Sequence, residues 1–268
     1  MPQKKTKLFL HLKKWLEKAS MDYNMIESRD RLLVGVSGGA DSLALMDLLN
    51  TSMLFIPNEF SVLAVNIVLG FDNGEGRRDL ERHFQNQDWR YIIDRTNIGP
   101  LAHSDFNKKN PCFLCSRLRR KRLFEIAGEN DCNKVVLAHH KDDMIETLMI
   151  NILYGREIST MVPNQSIFGG KMHIVRPLAY IKEELIKKYA REQEIPVIPN
   201  GCPSSRTSKR AAVKKMLNEL EGDHKQVREN IFKALYHVKP DYLPGAGRIE
   251  VSGSGFRVQN KKTVPDPS

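Results

Sequence analysis

The residues with the clearest chemical potential stand between a short apolar run and an apolar helix in the first fifth of the chain. The run covers residues 31–36 and is typical of a buried strand, and residues 37–42 after it read Ser-Gly-Gly-Ala-Asp-Ser. Glycines let backbone N–H groups approach an anion closely, and the first turn of the following helix adds free N–H donors and a partial positive charge. The pattern therefore predicts a loop that binds the phosphates of a nucleotide. Its candidate residues are Ser37, Gly38, Gly39, Ala40, Asp41 and Ser42.

Asp41 is the unusual member of this loop, because a bare carboxylate repels phosphate. Its presence indicates either a bound Mg²⁺ that it helps to hold or a role in orienting the nucleotide. The loop lacks the lysine of G-x-x-x-x-G-K-[ST], and it is not G-x-G-x-x-G. The structural alternative is a glycine-rich turn in which Asp or Ser caps the helix. We take Asp41 as a candidate for both nucleotide binding and catalysis.

A second polar segment follows another predicted strand, residues 134–138. His139 and His140 lie at the carboxyl end of that strand, and Asp142 and Asp143 fall in the first turn of a predicted helix. If the strands are parallel, these residues share the sheet edge with the phosphate loop. The carboxylates could ligate Mg²⁺, and a histidine could contact phosphate or a target base. The alternative is that the aspartates cap the helix; we take His139 and Asp143 as nucleotide-binding candidates.

Three cysteines could ligate a metal. Cys112 and Cys115 form a C-x-x-C, and Cys202 stands alone much later in the chain. A structural zinc needs four closed ligands, whereas three thiolates fit an iron–sulfur cluster that leaves one iron open for a substrate atom. Spacing alone leaves a cluster, a zinc site and simple or redox-active thiols open. The fourth cysteine, Cys132, lies in a turn and is expected to be a plain buried thiol.

Basic residues follow both cysteine sites. Residues 116–122 contain five lysines and arginines, and residues 206–215 contain five more. Positive charge beside thiolates lowers their pKa and also offers contacts to an RNA backbone, whereas the alternative is a solvated helix face. Over the whole chain, 42 Lys and Arg against 32 Asp and Glu give a formal net charge of +10. Such a surplus favours a polyanionic partner.

The composition is that of an ordinary globular protein, since 41% of the 268 residues are hydrophobic and 28% are charged. Four cysteines are too few for a disulfide scaffold. The sequence has no apolar run of about 18 residues, so we expect no membrane span. The N-terminus lacks the apolar core and cleavage site of a signal peptide, which predicts a cytoplasmic location.

Predicted strands and helices alternate along the chain, which is typical of an α/β fold with a mostly parallel sheet and helices on both faces. The strand candidates are residues 31–36, 61–66, 90–94, 134–138 and 173–176. The helix candidates are residues 4–27, 42–55, 77–87, 116–128, 142–154, 181–193, 207–220 and 224–236. The predicted organisation is an N-terminal helical segment at 1–29, an α/β domain carrying the C-x-x-C at 30–200, C-terminal helices with the third cysteine at 201–243, and a flexible tail at 244–268.

Together the motifs resemble those of the tRNA 2-thiocytidine synthetases, a branch of the pyrophosphate-loop (PP-loop) ATPases. The resemblance covers residues 5–242 and depends on SGGADS, PCFLCSRLRRKRL, HHKDDMIETLMINILYG and the later single cysteine. It implies a Rossmann-like parallel sheet and cleavage of ATP between the α- and β-phosphates while a substrate is adenylated. The family usually has Lys where this chain has Ala40. Asn66, after the second strand, is shared with the family and joins the nucleotide-binding candidates.

The resemblance further implies an enzyme that uses ATP and Mg²⁺ to adenylate cytidine 32 of tRNA and then transfers sulfur to C2. It implies a 4Fe-4S cluster on Cys112, Cys115 and Cys202, which become catalytic candidates beside Asp41. The implied partners are tRNA and a sulfur donor, either a cysteine desulfurase or sulfide. The family often forms dimers, and the amphipathic N-terminal helix could mediate a homodimer. The alternatives are thiolation of a uridine or another substrate, and a zinc-containing RNA-binding module without catalysis.

Overall fold

The computed structural model shows the alternation of strands and helices that the sequence predicts. The described residues are 6–51, 60–71, 75–107, 110–198, 201–204 and 208–243, without the side chains of 75–77 and 106; the predicted tail at 244–268 lies outside them. The helices are α1 (Lys7–Asp22), α2 (Ala40–Asn50), α3 (Glu75–Asn86), α4 (Ile98–Ala102), α5 (Pro111–Glu129), α6 (Lys141–Ile150), α7 (Glu183–Glu192), α8 (Lys209–Asp223) and α9 (Val227–Ala234). The strands are β1 (Arg31–Gly35), β2 (Ser61–Val68), β3 (Tyr91–Arg95), β4 (Lys134–Val136), β5 (Asn164–Ile167) and β6 (Met172–Val175). None of the described helices combines the length and the hydropathy that a transmembrane segment needs.

These strands form one mixed sheet in the order β3-β2-β1-β4-β6-β5. Neighbouring strands are parallel, except that β5 and β6 are antiparallel. Val34 of β1 lies opposite Ala64 of β2 and Val136 of β4. The central strands are apolar because helices cover both faces of the sheet. The predicted Rossmann-like sheet is confirmed, and its carboxyl edge brings together the residues that follow β1, β2, β4 and β6.

The helices divide the core into two layers, one on each face of the sheet. The larger layer contains residues of α1, α2, α6 and α7, among them Leu12, Leu45 and Tyr189. The smaller layer lies under α5 and contains Leu33 and Ile126. Because α1 buries its apolar face, including Leu12, in the protein's own core, that face is not open to a second subunit. The buried face of α1 therefore does not offer a dimer surface, and a homodimer through this helix stays a prediction.

The C-terminal helices α8 and α9 complete the larger layer. Val213, Leu217 and Phe232 are buried in it. An ion pair of 2.7 Å between Lys141 Nζ and Glu229 also joins α6 to α9. The predicted C-terminal segment thus shares one core with the α/β domain, and a domain boundary at residue 200 stays a prediction.

Two elements were not predicted, and tertiary contacts explain both. β5 reads Asn-Gln-Ser-Ile, which has no apolar alternation, yet it pairs with β6 through the tight turn at Phe168–Gly170. The helix α4 lies in the predicted loop at 96–111 and contains Gly99 and a proline, which disfavour helices. The N–H of Gly99 donates to the carbonyl of Leu69 at 2.8 Å, and a Cβ atom at Gly99 would lie 2.5 Å from the ring of Phe71. Close packing on the segment after β2 therefore fixes α4.

Candidate nucleotide and thiol site

The loop between β1 and α2 has the backbone geometry of an anion site. Gly38 has a φ of +87°, and Gly39 caps α2 without a side-chain hydrogen bond to the helix. The first N–H groups of α2 are therefore available to an anion. A Cβ atom at Gly38 would lie 3.2 Å from the Cβ of Ile198. Both the left-handed backbone and this close approach require glycine at position 38.

The two serine side chains hold the loop from within. Ser42 Oγ accepts from the N–H of Ser37 at 3.1 Å and donates to the carbonyl of Gly39 at 3.0 Å. Ser37 Oγ accepts from the N–H of Gly39 at 3.3 Å. These bonds fix the turn that presents the backbone donors of α2. A direct contact from either hydroxyl to a phosphate stays a prediction.

Asp41 lies in the first turn of α2, beside the residues that follow β4. Its Oδ2 is 4.0 Å from Nε2 of His140, and its Oδ1 is buried with no hydrogen-bond partner among the described residues. Burial raises the pKa of the Asp41 carboxyl; His140 lowers that pKa, and the nearby carboxylates of Asp143 and Glu183 raise it. A buried, unpartnered carboxylate oxygen next to a phosphate loop fits a cation such as the Mg²⁺ that accompanies a nucleotide.

His140 and Asp143 form a capping box at the start of α6. His140 Nδ1 accepts from the N–H of Asp143 at 3.3 Å, and Asp143 Oδ2 accepts from the N–H of His140 at 3.1 Å. Asp143 Oδ1 also accepts from Arg210 at 2.8 Å, and Asp142 Oδ2 accepts from the N–H of Glu183 at 2.8 Å. The helix-capping role that the sequence left open is thus present for Asp143. Its role as a nucleotide ligand stays a prediction.

His139, in contrast, keeps an unused ring nitrogen. Its Nδ1 is buried and has no hydrogen-bond partner in the part of the chain that the structure describes. Burial lowers the pKa of His139 to about 4, with Asp143 raising it and Arg176 and Arg210 lowering it further. The ring is therefore neutral near pH 7 and carries one donor and one acceptor nitrogen.

A crevice opens beside the phosphate loop, between the carboxyl ends of β1 and β2. Its lining includes Val36, Ser37, Asn66, Phe71, Arg119 and Ile198. Asn66 is buried, and its Nδ2 donates to the carbonyl of Val36 at 2.7 Å. Asn66 therefore fixes the end of β1 where the loop begins. A contact from Asn66 to a bound nucleotide stays a prediction.

Cys112 and Cys115 lie in the first turn of α5 rather than in a separate tight turn. The helix begins at Pro111 instead of residue 116, because proline fits the first turn of a helix. Cys112 is exposed and Cys115 is buried. Burial raises the pKa of the Cys115 thiol; Arg119 lowers it, and Cys202 and Cys112 raise it. Both other thiols therefore lie within electrostatic range of Cys115.

Cys202 comes from a distant part of the chain and lies between the phosphate loop and α4. Upstream of it, the N–H of Ile198 donates to the carbonyl of Gly38 at 2.9 Å. Downstream of it, Ser204 Oγ lies 2.9 Å from Nε2 of His103, which directly follows α4. Because α4 packs on α5, these contacts bring the segment of Cys202 to the helix that carries the C-x-x-C.

The three thiols fit an iron–sulfur cluster by donor type and by neighbourhood. Among the described residues, however, no three His, Cys, Asp or Glu side chains lie close enough together to chelate a metal ion as they stand. Protonated thiols gain nothing from mutual approach, whereas a metal draws thiolates together. Cys112, Cys115 and Cys202 are the residues that would hold a cluster, and ligation requires their sulfurs to move closer. Cys132 is buried in the smaller core layer, as expected for a plain thiol.

Comparisons with known proteins bear on this site. The PP-loop domain family matches residues 6–220. A tRNA-cytidine(32) 2-sulfurtransferase of Paraburkholderia phytofirmans is 37% identical over 246 residues, which are 88% of this chain and 71% of that protein. The protein of the same name from Burkholderia mallei is 37% identical over 256 residues, which are 92% of this chain and 75% of that protein. The chain belongs to the PP-loop family, in the branch of the tRNA-cytidine(32) 2-sulfurtransferases.

The same fold is found in a solved tRNA thiolase. The U34-tRNA thiolase NcsA from Methanococcus maripaludis, solved with its [4Fe-4S] cluster, superposes with a TM-score of 0.68 and 23% sequence identity. The superposition covers 87% of this chain and 80% of that chain. At this identity the likeness establishes the shared fold.

Within this PP-loop fold, many of the basic residues singled out in the sequence are neutralised by acidic neighbours. Arg122 donates to both oxygens of Asp94, at 2.9 and 3.0 Å. Lys214 pairs with Glu183 at 2.6 Å. Arg210 pairs with Asp143 and with the buried Glu146, whose Oε2 is 3.0 Å away. Arg210 and Lys214 therefore bind α8 to α6 and α7, and a contact of either side chain with RNA phosphates stays a prediction. Arg206 lies outside the described residues.

Other basic residues of the PP-loop domain remain available. Among the residues that the structure describes, Arg117, Arg119 and Arg120 form no ion pair. Arg119 lines the crevice beside the phosphate loop. The sequence placed Arg119 in a basic run but carried no signal that separated it from Arg122. Glu183, which acts on the pKa of Asp41, had no sequence signal at all.

Proposed function

We propose that the protein uses ATP to adenylate a base of tRNA, cytidine 32 by analogy with its relatives, and then replaces the C2 oxygen with sulfur. The observation that carries the proposal is the hydrogen bond between the N–H of Ile198 and the carbonyl of Gly38. It supports a common crevice for the phosphate loop and the segment that carries Cys202. The relatives that share 37% of their residues with this chain are named as transferases of sulfur to that cytidine.

In the first half-reaction, the backbone of the loop at 37–42 and the N-terminus of α2 bind the phosphates of ATP. The C2 oxygen of the base attacks the α-phosphorus, the bond to the β-phosphate oxygen breaks, and pyrophosphate leaves. Asp41 would hold a Mg²⁺ ion, which would supply positive charge to offset the charge that accumulates on the phosphates. The protein contributes mostly positioning and electrostatic stabilisation, with Asn66 holding the end of β1 in place.

In the second half-reaction, a sulfur nucleophile attacks C2 and AMP leaves with the former base oxygen. Adenylation is needed because an oxygen that departs as hydroxide is a very poor leaving group. A 4Fe-4S cluster on Cys112, Cys115 and Cys202, when bound, supplies an iron position from which sulfur can be delivered. Arg119 favours the thiolate form of Cys115 that such ligation needs, because it lowers the pKa of that thiol.

The partners of the reaction follow from the same chemistry. The unpaired arginines of α5 offer contacts to the RNA backbone, and a cysteine desulfurase or free sulfide supplies the sulfur. We propose a cytoplasmic location, where tRNA and ATP are available. A homodimer also stays a proposal, and it would need a surface other than the buried face of α1.

The proposal is tested by mass spectrometry of tRNA nucleosides from a strain that lacks the gene. We expect 2-thiocytidine to be absent, to return with the wild-type gene, and not to return with Cys202→Ser. A loss of 2-thiouridine instead would move the target to uridine. Unchanged thionucleosides would contradict the proposal. Anaerobically purified protein should be brown and absorb near 400 nm; a colourless protein with stoichiometric zinc would contradict the cluster.

A further inference from the structure

Arg176 is a buried cation at the carboxyl end of β6, at the same sheet edge as the phosphate loop. The residue is 5% exposed. Its Nη1 donates to the backbone carbonyl of Val162, and its Nε is buried with no partner among the described residues. The guanidinium therefore has donor capacity that its described neighbours do not use.

No described carboxylate offsets the charge of Arg176. The ion pairs found in the described part of the chain do not include it, and the charged neighbour that acts on it is another cation, Arg120 of α5. Burial lowers the pKa of Arg176 to about 10, and Arg120 lowers it further. A buried charge without a partner destabilises a fold strongly. Such an arrangement is typical of a site whose anion comes from a ligand.

His139 contributes a second buried nitrogen without a partner among the described residues. Arg176 acts on the pKa of His139, so the two side chains lie within electrostatic range of each other. The buried Nδ1 of His139 has no partner in the described chain, and its ring is neutral near pH 7. A neutral imidazole can donate one hydrogen bond to an oxyanion without adding charge.

The position of Arg176 relative to the crevice follows from strand geometry. Val175 packs in the larger core layer, so the alternation of side chains turns Arg176 to the opposite face, the face of α5 that carries Arg120. His139 lies two residues after Leu137, which lines the crevice, in the segment that follows β4. One strand, β4, separates β6 from β1, which puts Arg176 roughly 10 Å from the phosphate loop at about 4.8 Å per strand.

We infer that Arg120, Arg176 and His139 form a second phosphate site, which binds a phosphate group of a substrate next to the crevice. The inference rests on the proposed function, since ATP and tRNA are the phosphate-bearing molecules of that reaction. We assign the phosphate to the RNA backbone beside the target base. The loop at 37–42 already serves the nucleotide, and the exposed Arg120 connects the buried Arg176 to the open surface of α5.

The test compares Arg176→Gln and Arg120→Gln with the matched control Lys121→Gln. Lys121 is the neighbour of Arg120 on α5, is largely exposed and pairs with Glu125 at 3.6 Å, so the control removes the same charge from outside the site. The binding of unmodified tRNA transcript is measured without ATP at several salt concentrations. The binding of ATP and Mg²⁺ is measured separately, without tRNA. Circular dichroism and thermal melting check that each variant is folded.

We expect both site variants to bind tRNA about tenfold more weakly than the control does, as for the loss of a charge-assisted hydrogen bond. The plot of log K for tRNA binding against log salt concentration should become less steep by about 0.7–0.9 for each lost phosphate contact. Weaker ATP binding with unchanged tRNA binding would keep the phosphate site but assign it to the nucleotide. Binding of both molecules equal to the control would overturn the inference.

If Arg176→Gln does not fold, Arg120→Gln and Arg176→Lys decide, because Lys keeps the buried charge but presents a single point of contact. Arg176→Lys should then also bind tRNA more weakly than Lys121→Gln does. The binding of tRNA and ATP by the wild-type protein distinguishes a failure of the proposed function from a failure of the second phosphate site. If the wild-type protein bound neither tRNA nor ATP, the proposed function itself would fail. If the wild-type protein bound both and the site variants bound them as well as Lys121→Gln does, only the second phosphate site would be ruled out.

Discussion

The phosphate loop and the thiol site lie at one edge of the sheet but are built in opposite ways. The loop is a single stretch, 37–42, whose side-chain hydrogen bonds run among its own residues. The thiol site joins two cysteines of one helix turn to Cys202, which is positioned by Ile198 on one side and Ser204 on the other. The first region is formed by local sequence, and the second depends on long-range contacts.

This difference implies different tolerance to change. A contiguous loop between a buried strand and a helix keeps its shape as long as that strand and helix are in place. A site assembled from separated segments depends on a few contacts that each contribute about 1 kcal/mol, and losing one of them loosens a segment without unfolding the domain. Mutations should therefore be able to impair one region while the other keeps its function.

The largest effect is expected from the pair Asp41→Ala and Cys202→Ser. Asp41→Ala should reduce the rate of AMP formation about 100-fold or more, because the carboxylate beside the phosphates is lost. Cys202→Ser should abolish thiolation while ATP binding persists, because the loop does not use the thiol. The measurements are AMP release, thionucleoside content and ATP affinity for folded variants. Unchanged thiolation by Cys202→Ser would remove Cys202 from the proposed ligand set. The contrast between a local phosphate loop and a thiol site assembled from distant segments would then not hold.

A smaller effect, shared by both regions, is expected from Gly38→Ala. The left-handed backbone costs an alanine about 1–2 kcal/mol, and the new Cβ atom would press on Ile198. Urea unfolding should show this loss, together with weaker ATP binding and faster alkylation of Cys202. For stability, Gly39→Ala is the control, because among the described residues its Cβ would meet only Ser37 Oγ, at 3.5 Å. Equal stability of the two variants would show that Gly38 does not link the regions.

The smallest effect is expected from Ser204→Ala, which removes the hydrogen bond to His103. The loss of about 1 kcal/mol should raise the alkylation rate of Cys202 roughly fivefold in metal-free protein and leave ATP affinity unchanged. Ser104→Ala is the matched control, since its hydroxyl donates locally to the carbonyl of Leu101. An alkylation rate equal to that of the control would mean that other contacts hold the segment.

The features that could be predicted from the sequence are those that depend on local interactions. The loop at 37–42 was predicted with its strand and helix, because glycine, serine and a following apolar helix carry the signal within a few positions. The start of α5 was missed, although Pro111 stands at its first turn. The charges were harder still: Arg210 and Arg119 look alike in the sequence, but one is paired with Asp143 and Glu146 and the other lines the crevice.

By itself the sequence determined the parallel sheet, the place of the phosphate loop and the family to which these motifs belong, because backbone conformation and apolar periodicity act over neighbouring residues. Only the tertiary structure decided which cations are neutralised, and that Ile198 brings the segment of Cys202 to the loop at Gly38. It also decided that Arg176 is buried without a described counterion. Burial and charge pairing depend on residues that are far apart in the chain, so no local pattern records them.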